Sequence, residues 1–200
     1  WEYKEFDKKG KLSSTNITEV IDIKSSGDRI EYQIKGTTDG PKKKEKNHHE
    51  MEFAYICENG VFKMSMEAMI PKETMESFGE TATIEIEQSE LEFPSSMNVG
   101  DELKDASIKV KVNMGAMTVM NMNILVYDRK IEKVEEITTE AGTFNCAVLS
   151  QKTTSKMGFT TIEGSSKDWW SAQVGVVKSE TFDKKGELSG SRELVAYKAG

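Results

Sequence analysis

Apolar and polar residues alternate along most of this chain, the period-two pattern that sets successive side chains on opposite faces of a β-strand. Ile17, Ile21 and Ile23 share one parity, followed by Ile30, Tyr32 and Ile34, then Met51, Phe53, Tyr55 and Cys57, then Ala82, Ile84 and Ile86. Ile108, Val110, Val112 and Met114 repeat the pattern, as do Met120, Met122, Ile124 and Val126, and finally Phe144, Cys146 and Val148. The opposite parity is mostly Lys, Glu, Thr, Asn or Asp. One dry face and one wet face belong to antiparallel sheet, because parallel sheet is usually buried on both sides. The parity predicts that the isoleucines of the first set lie on the buried face.

Turn residues punctuate these segments at short intervals. Asp7-Lys8-Lys9-Gly10, Ser26-Gly27-Asp28, Asp39-Gly40-Pro41, Asn113 to Gly115, Ala141-Gly142 and Met157-Gly158 all mark reversals. Asn59-Gly60, between two alternating runs, is the strongest hairpin signal in the chain. About ten to twelve strands are expected on this pattern. Only Pro71 to Phe78 reads as helix, with Pro at its start, Gly79 as a stop, and Met75 and Phe78 on one face. An octapeptide, Phe6-Asp7-Lys8-Lys9-Gly10-Lys11-Leu12-Ser13, returns near the other end as Phe182-Asp183-Lys184-Lys185-Gly186-Glu187-Leu188-Ser189. A single distant copy is not a solenoid repeat; one hairpin chemistry used twice accounts for it. The expected fold is therefore all-β, a large antiparallel meander curled into a barrel or half-barrel with one short helix, forming a single domain over residues 1–200.

Composition narrows the function classes. Of the 200 residues, 36% are hydrophobic and 30% charged, as in a folded globule rather than a disordered chain. A formal net charge of −7 argues against nucleic acid, whose binders need a basic face. The Lys42-Lys43-Lys44-Glu45-Lys46 run is a local exception that reads as a solvated loop or a small anion-docking patch. No apolar run approaches the ~20 residues of a membrane-spanning helix. The chain starts at Trp1 rather than Met, which fits a removed signal peptide and an exported protein, periplasmic or associated with the outer membrane.

Candidate chemistry is sparse. His48 and His49 are the only histidines, and neighbours on a strand point to opposite faces, so a joint metal site is not suggested; His48 and Glu50 share a face but lack a third ligand nearby. No Gly-x-Ser-x-Gly elbow and no Gly-rich phosphate loop occurs. No catalytic residue and no cofactor is expected, and an envelope hydrolase is the weakest of the readings considered. Cys57 and Cys146 both fall on inward parities, which suits either a disulfide or two inert buried thiols. The eleven methionines include Met64-Ser65-Met66 and Met120-Asn121-Met122, each placing two thioethers on one face. Soft thioethers suit Cu(I), but methionine is also the adaptable lining of cores and apolar cavities, and that reading is preferred. Trp169 and Trp170 must face opposite ways if they lie on a strand, so one of them faces the interior.

Several of these segments carry a resemblance. Ile137 to Cys146, Trp169-Trp170-Ser171, Gly175 to Glu180, the two Asp-Lys-Lys-Gly turns and the Cys57-Glu58-Asn59-Gly60 turn are together similar to exported β-rich proteins of unknown function from Bacteroides-like bacteria, a TapB-like family among them. The resemblance spans most of the chain and implies a precursor with a signal peptide and a barrel or half-barrel of lipoprotein-carrier or lipocalin type. It transfers no active-site residue. The expected function is that of a non-enzymatic envelope protein holding a lipid or other apolar molecule against the concave face of its sheet. Phe53, Tyr55, Met64, Met66, Met120, Met122, Trp169 and Trp170 are the expected lining. The alternative is an interaction protein with a filled core that contacts other envelope proteins.

Overall fold

The computed structural model describes residues 1–41, 48–66, 79 and 82–198. The Lys42 to Lys46 run and the helix expected over Pro71 to Phe78 lie outside the described residues.

Among the described residues, fourteen strands follow one another along the chain. They are β1 (Glu2–Asp7), β2 (Leu12–Ser26), β3 (Arg29–Asp39), β4 (His48–Glu58), β5 (Val61–Ser65), β6 (Ala82–Gln88) and β7 (Glu90–Pro94) in the first half. The second half holds β8 (Glu102–Leu103), β9 (Ala106–Met114), β10 (Met117–Thr139), β11 (Gly142–Met157), β12 (Thr160–Ser171), β13 (Gly175–Asp183) and β14 (Leu188–Ala196). All belong to one antiparallel sheet in the order β6-β9-β10-β11-β12-β13-β14-β1-β2-β3-β4-β5-β7, with β8 pairing β10. The sheet curls into a nearly closed barrel with a single seam, between β6 and β7. The first and last parts of the chain meet where β1 pairs β14, so both terminal segments are held in the wall.

One stretch of chain runs on both sides of the seam. β6 pairs β9 and β7 pairs β5, and only Ser89 separates them. Ser89 is tied to β9 twice: its N–H donates to the Ser107 carbonyl at 2.8 Å, and its hydroxyl accepts the Ser107 N–H at 2.8 Å. The side chains of β7 then turn inward to close the barrel where no ladder does. Leu91 and Phe93 pack with Ile108, Val110 and Val112 of β9, and with Met66, Val126, Ile131 and Leu149, in the larger core cluster.

Turn chemistry sets the register. Asn59 and Gly60 both have positive φ, 52° and 73°, as a two-residue type I′ hairpin requires. The repeated octapeptide forms the same turn twice. Asp7 Oδ1 accepts the N–H groups of Lys9 and Lys11 at 2.8 and 3.0 Å, and Asp183 Oδ1 accepts those of Lys185 and Glu187 at the same distances. Gly10 and Gly186 take the left-handed position at φ 74° and 79°.

The inward face follows from the ladder, because residues opposite one another point the same way. Around one wall this row runs Ser166–Gln151, Asp168–Ser179, Ser179–Arg192, Arg192–Glu5 and Glu5–Ser14. Around the other it runs Ile34–Phe53, Tyr55–Met64, Cys57–Phe62, Phe62–Phe93 and Val110–Met122. The interior is thus half polar and half apolar.

This division overturns two expectations. Ile17, Ile21 and Ile23 are exposed, not buried. The inward positions of upper β2 are Ser14, Asn16 and Thr18, which bond to Glu5, to Thr38 and to each other, and a bulge at Ile21 then shifts the register. Alternation says which side chains share a face; it does not say which face is inside. Nor do both cysteines point inward; Cys57 and Cys146 are free thiols, the second of the two readings open to them. Cys57 sits opposite Ile30 and Phe62 on the lumen side. Cys146 lies in a second cluster with Phe144, Val148, Trp169, Tyr3, Val177 and Leu194. It is an odd number of residues from the lumen-facing Leu149, so it points through the opposite face of β11.

Glycine is needed where the wall bends against itself. A Cβ on the inward-facing Gly164 would stand 2.7 Å from the Phe182 carbonyl oxygen, closer than a carbon can approach. The obstacle is backbone and cannot rotate away. Gly164→Ala is expected to lower stability by about 1–3 kcal/mol, as overpacking does. A urea midpoint equal to that of the parent protein would mean that β13 yields at that point.

Candidate functional site

The lumen contains a run of aromatic rings joining strands that are far apart in the sheet. Phe53 and Tyr55 of β4 lie 5.1 Å apart between centroids, Tyr55 and Phe62 of β5 4.7 Å, and Phe62 and Phe93 of β7 6.4 Å. Trp170 of β12 crosses from the other wall, stacked on Phe93 at 4.5 Å with the planes 6° apart, and 5.9 Å from Phe62. Phe53, Tyr55, Phe62, Met64 and Trp170 are inward-facing yet only half-buried, so this side of the lumen keeps accessible apolar surface. Burial pushes the Tyr55 phenol up to about 12, against a smaller opposing pull from the Arg192 charge.

Opposite the aromatic run is a buried polar network. Arg129 is 2% exposed, and its guanidinium lies 4.9 Å over the Phe93 ring. It donates to the Lys104 carbonyl at 2.7 Å, the Glu92 carbonyl at 3.2 Å and Gln151 Oε1 at 3.1 Å. Burial pulls its pKa down to about 10 despite the nearby charges of Asp105, Asp168 and Glu92. Gln151 Nε2 in turn donates to Asp168 at 3.0 Å, which also accepts the hydroxyls of Ser179 at 2.6 Å and Ser166 at 3.1 Å. Arg192 lies 4.6 Å over the Tyr3 ring. Burial raises the pKa of Asp168, and the hydroxyls of Ser179 and Ser166 with the charges of Arg192 and Arg129 offset that only in part.

The backbone aims these groups. Between Tyr127 and Lys130 the β10–β11 register shifts, with Asp128 at φ 52°. A bulge re-aims side chains, and this one turns Arg129 inward from a strand that would otherwise continue the alternation of Met120, Met122, Ile124 and Val126.

The raised pKa of Asp168 makes a signed prediction. Its ionised form is costlier in the folded than in the unfolded chain. Its contribution to stability is fullest below the ordinary carboxylate range and is lost as pH rises through the raised value. Asp168→Asn should therefore flatten that limb of the stability–pH profile, measured as urea midpoints across the range. An unaltered limb would assign the pH dependence to another group.

The expected lining residues separate into two groups. Phe53, Tyr55, Met64, Met120, Met122 and Trp170 face the lumen or pack on its core, and Met66 is fully buried in that core. Trp169 lies on the other face in the second cluster, its indole N–H donating to Glu135 at 2.7 Å and the Lys178 ammonium 4.9 Å from its ring. Cys146 beside it is pushed up to about 11 by burial, too high for a reactive thiolate. His48 stands at the end of β4, 2.9 Å from Asp39 and 3.6 Å from Glu50, well away from the polar network in sequence and in the sheet. Among the described residues no group of three or more His, Cys, Asp and Glu could hold a metal ion.

Sequence reasoning missed Arg129, Gln151, Asp168, Ser179 and Arg192. One signal was available: Val126 and Ile131 are an odd number apart, and such a break in alternation marks a bulge.

Comparison with known proteins places this architecture. The DUF3108-like family matches residues 1–194, nearly the whole length. The chain belongs to the DUF3108-like family. Two solved structures share the fold. A candidate exported protein with YmcC-like fold from Bacteroides fragilis is 21% identical, with a TM-score of 0.74 over 99% of this chain and 94% of that one. A candidate lipoprotein from Parabacteroides distasonis is 24% identical, with a TM-score of 0.75 over the same shares. No curated protein matches the chain. The likeness to exported β-rich proteins of Bacteroides-like bacteria is thus carried by the fold, while none of these matches bears the TapB-like name.

Proposed function

We propose that the protein is a non-enzymatic binding module of the cell envelope that holds an amphipathic, lipid-class molecule inside its barrel. The observation that carries this reading is the division of the lumen. Half-buried Phe53, Tyr55, Phe62, Met64 and Trp170 offer an adaptable apolar surface, and the Gln151–Asp168–Ser179 network with Arg192 lies on the facing wall. An acyl chain fits the first, where rings and thioethers adapt to an irregular partner. A hydroxyl- or amine-bearing head fits the second, since a buried carboxylate favours a donor that completes its hydrogen bonds. An envelope location accords with the two structural relatives, described as an exported protein and a lipoprotein.

Native mass spectrometry of protein from its own envelope fraction, before and after solvent extraction, tests the reading. The expected result is a discrete extractable mass in the lipid range. A single unliganded mass in both samples would favour the alternative of an interaction protein with a filled interior, for which the ten fully packed side chains around Ile108 and Leu149 are the supporting observation.

A further inference from the structure

Four hairpin turns stand side by side at one end of the barrel, and they differ in character from the rest of the surface. Following the sheet order, they join β9 to β10, β11 to β12, β13 to β14 and β1 to β2. The first two carry bare apolar side chains. Met117 is 71% exposed, Met157 55%, Phe159 111% and Ile162 67%. Phe159 is a fully solvated phenyl ring at the tip of a turn, where it contributes nothing to any core.

The other two turns are the repeated Asp-Lys-Lys-Gly units. Lys8, Lys9, Lys11, Lys184 and Lys185 are all exposed, and among the described residues none of them forms an ion pair. The carboxylates of Asp7 and Asp183 are turned back onto their own backbone N–H groups, which leaves five lysine ammonium groups against the exposed carboxylate of Glu187 in these two turns. The two basic turns adjoin, since Asp7 stands opposite Gly190 in the ladder and the charge of Lys8 acts on Asp183. All this occurs on a chain of net charge −7.

We infer that this end of the barrel docks on an anionic lipid bilayer, with the two apolar turns inserted at the headgroup boundary and the two lysine turns on the lipid phosphates. Apolar tips bordered by lysines are the combination that gains from both burial and surface potential at a charged membrane. A mainly acidic body is repelled by the same surface, so only this end can face it. A second copy of the chain is a poorer occupant, because a two-fold contact over this end brings lysine turns near lysine turns. The inference does not depend on the lumen being filled.

The test is flotation of the full chain with vesicles of phosphatidylglycerol and phosphatidylethanolamine, against vesicles of phosphatidylcholine alone. Binding to the anionic vesicles only, weakened by salt, is the expected result. Met117→Asp with Phe159→Asp should abolish it. Lys8→Glu with Lys184→Glu should weaken it about 25-fold or more, at about fivefold or more per lysine removed. Val99→Asp, at an apolar residue 61% exposed in the β7–β8 connection at the opposite end, should change nothing. All these positions are exposed, so circular dichroism should show an unaltered fold. Equal binding to both kinds of vesicle, no binding to either, or binding indifferent to the Met117 and Phe159 changes would overturn the inference. So would concentration-dependent dimerisation of the parent chain that Phe159→Asp removes, which would assign the surface to a second copy. Native mass spectra of the docking variants should still show whatever the lumen holds, which keeps the two questions separate.

Discussion

Replacing Arg129 by methionine should destabilise the protein by about 3 kcal/mol, because it leaves buried hydrogen-bond partners unmet. The guanidinium satisfies the carbonyls of Lys104 and Glu92 and the amide oxygen of Gln151 in one plane. Methionine matches its length and its packing on Phe93 but returns no donor. The Glu92 carbonyl lies on β7 and the Lys104 carbonyl in the connection between β8 and β9, so the loss should also loosen the seam that Leu91 and Phe93 close. Arg129→Lys should recover only a fraction, since an ammonium lacks the fixed fork that reaches three acceptors. Equilibrium urea unfolding of the two variants measures both effects. A loss below about 1 kcal/mol for Arg129→Met would mean that water enters and takes over the guanidinium's bonds.

An effect of similar or larger size is expected at Leu149. It is 0% exposed and stands opposite Ile131, also 0% exposed, in the β10–β11 ladder. Here β11 is buried on both faces, with Val148 at 0% exposure turned the other way. A strand held from both sides cannot collapse into a hole, so Leu149→Ala should cost about 3–5 kcal/mol, in the upper part of the range for such truncations. Val134→Ala, on β10 but 46% exposed, is the control and should change the urea midpoint by less than about 0.5 kcal/mol equivalent. If the two variants unfolded at the same urea concentration, the larger cluster would not be the core that closes the barrel. Combined Ile131→Ala and Leu149→Ala should be non-additive, because the two side chains touch the same space.

The sequence by itself determined the antiparallel strand pattern and most of its turns. It predicted about ten to twelve strands where the described residues hold fourteen, because pieces as short as β8 carry no alternation of their own. Alternation needs only local geometry, and Asn59-Gly60, Asp7 to Gly10 and Asp183 to Gly186 carry their own backbone requirements, so these features were legible without any tertiary information. Alternation also grouped Phe53 with Tyr55 and Met120 with Met122 on shared faces, and it required Trp169 and Trp170 to part. What only the tertiary structure decided was which face is inside and which groups meet there. In an open sheet the apolar side must be the buried one, but a curled sheet can bury polar side chains against one another across its lumen. That is why Ser14, Asn16, Asp168, Ser179 and Arg192 are inward while Ile17 faces out, and why Ile21 and Ile23, at and just beyond the bulge, stay exposed. The same argument separates the cysteines, whose common parity with apolar neighbours says nothing about which side of the wall each faces. The grouping of two apolar and two basic turns at one end is likewise tertiary. Each turn is readable alone, but their adjacency depends on strand order, which is settled by long-range pairing of β14 with β1 and not by any local residue.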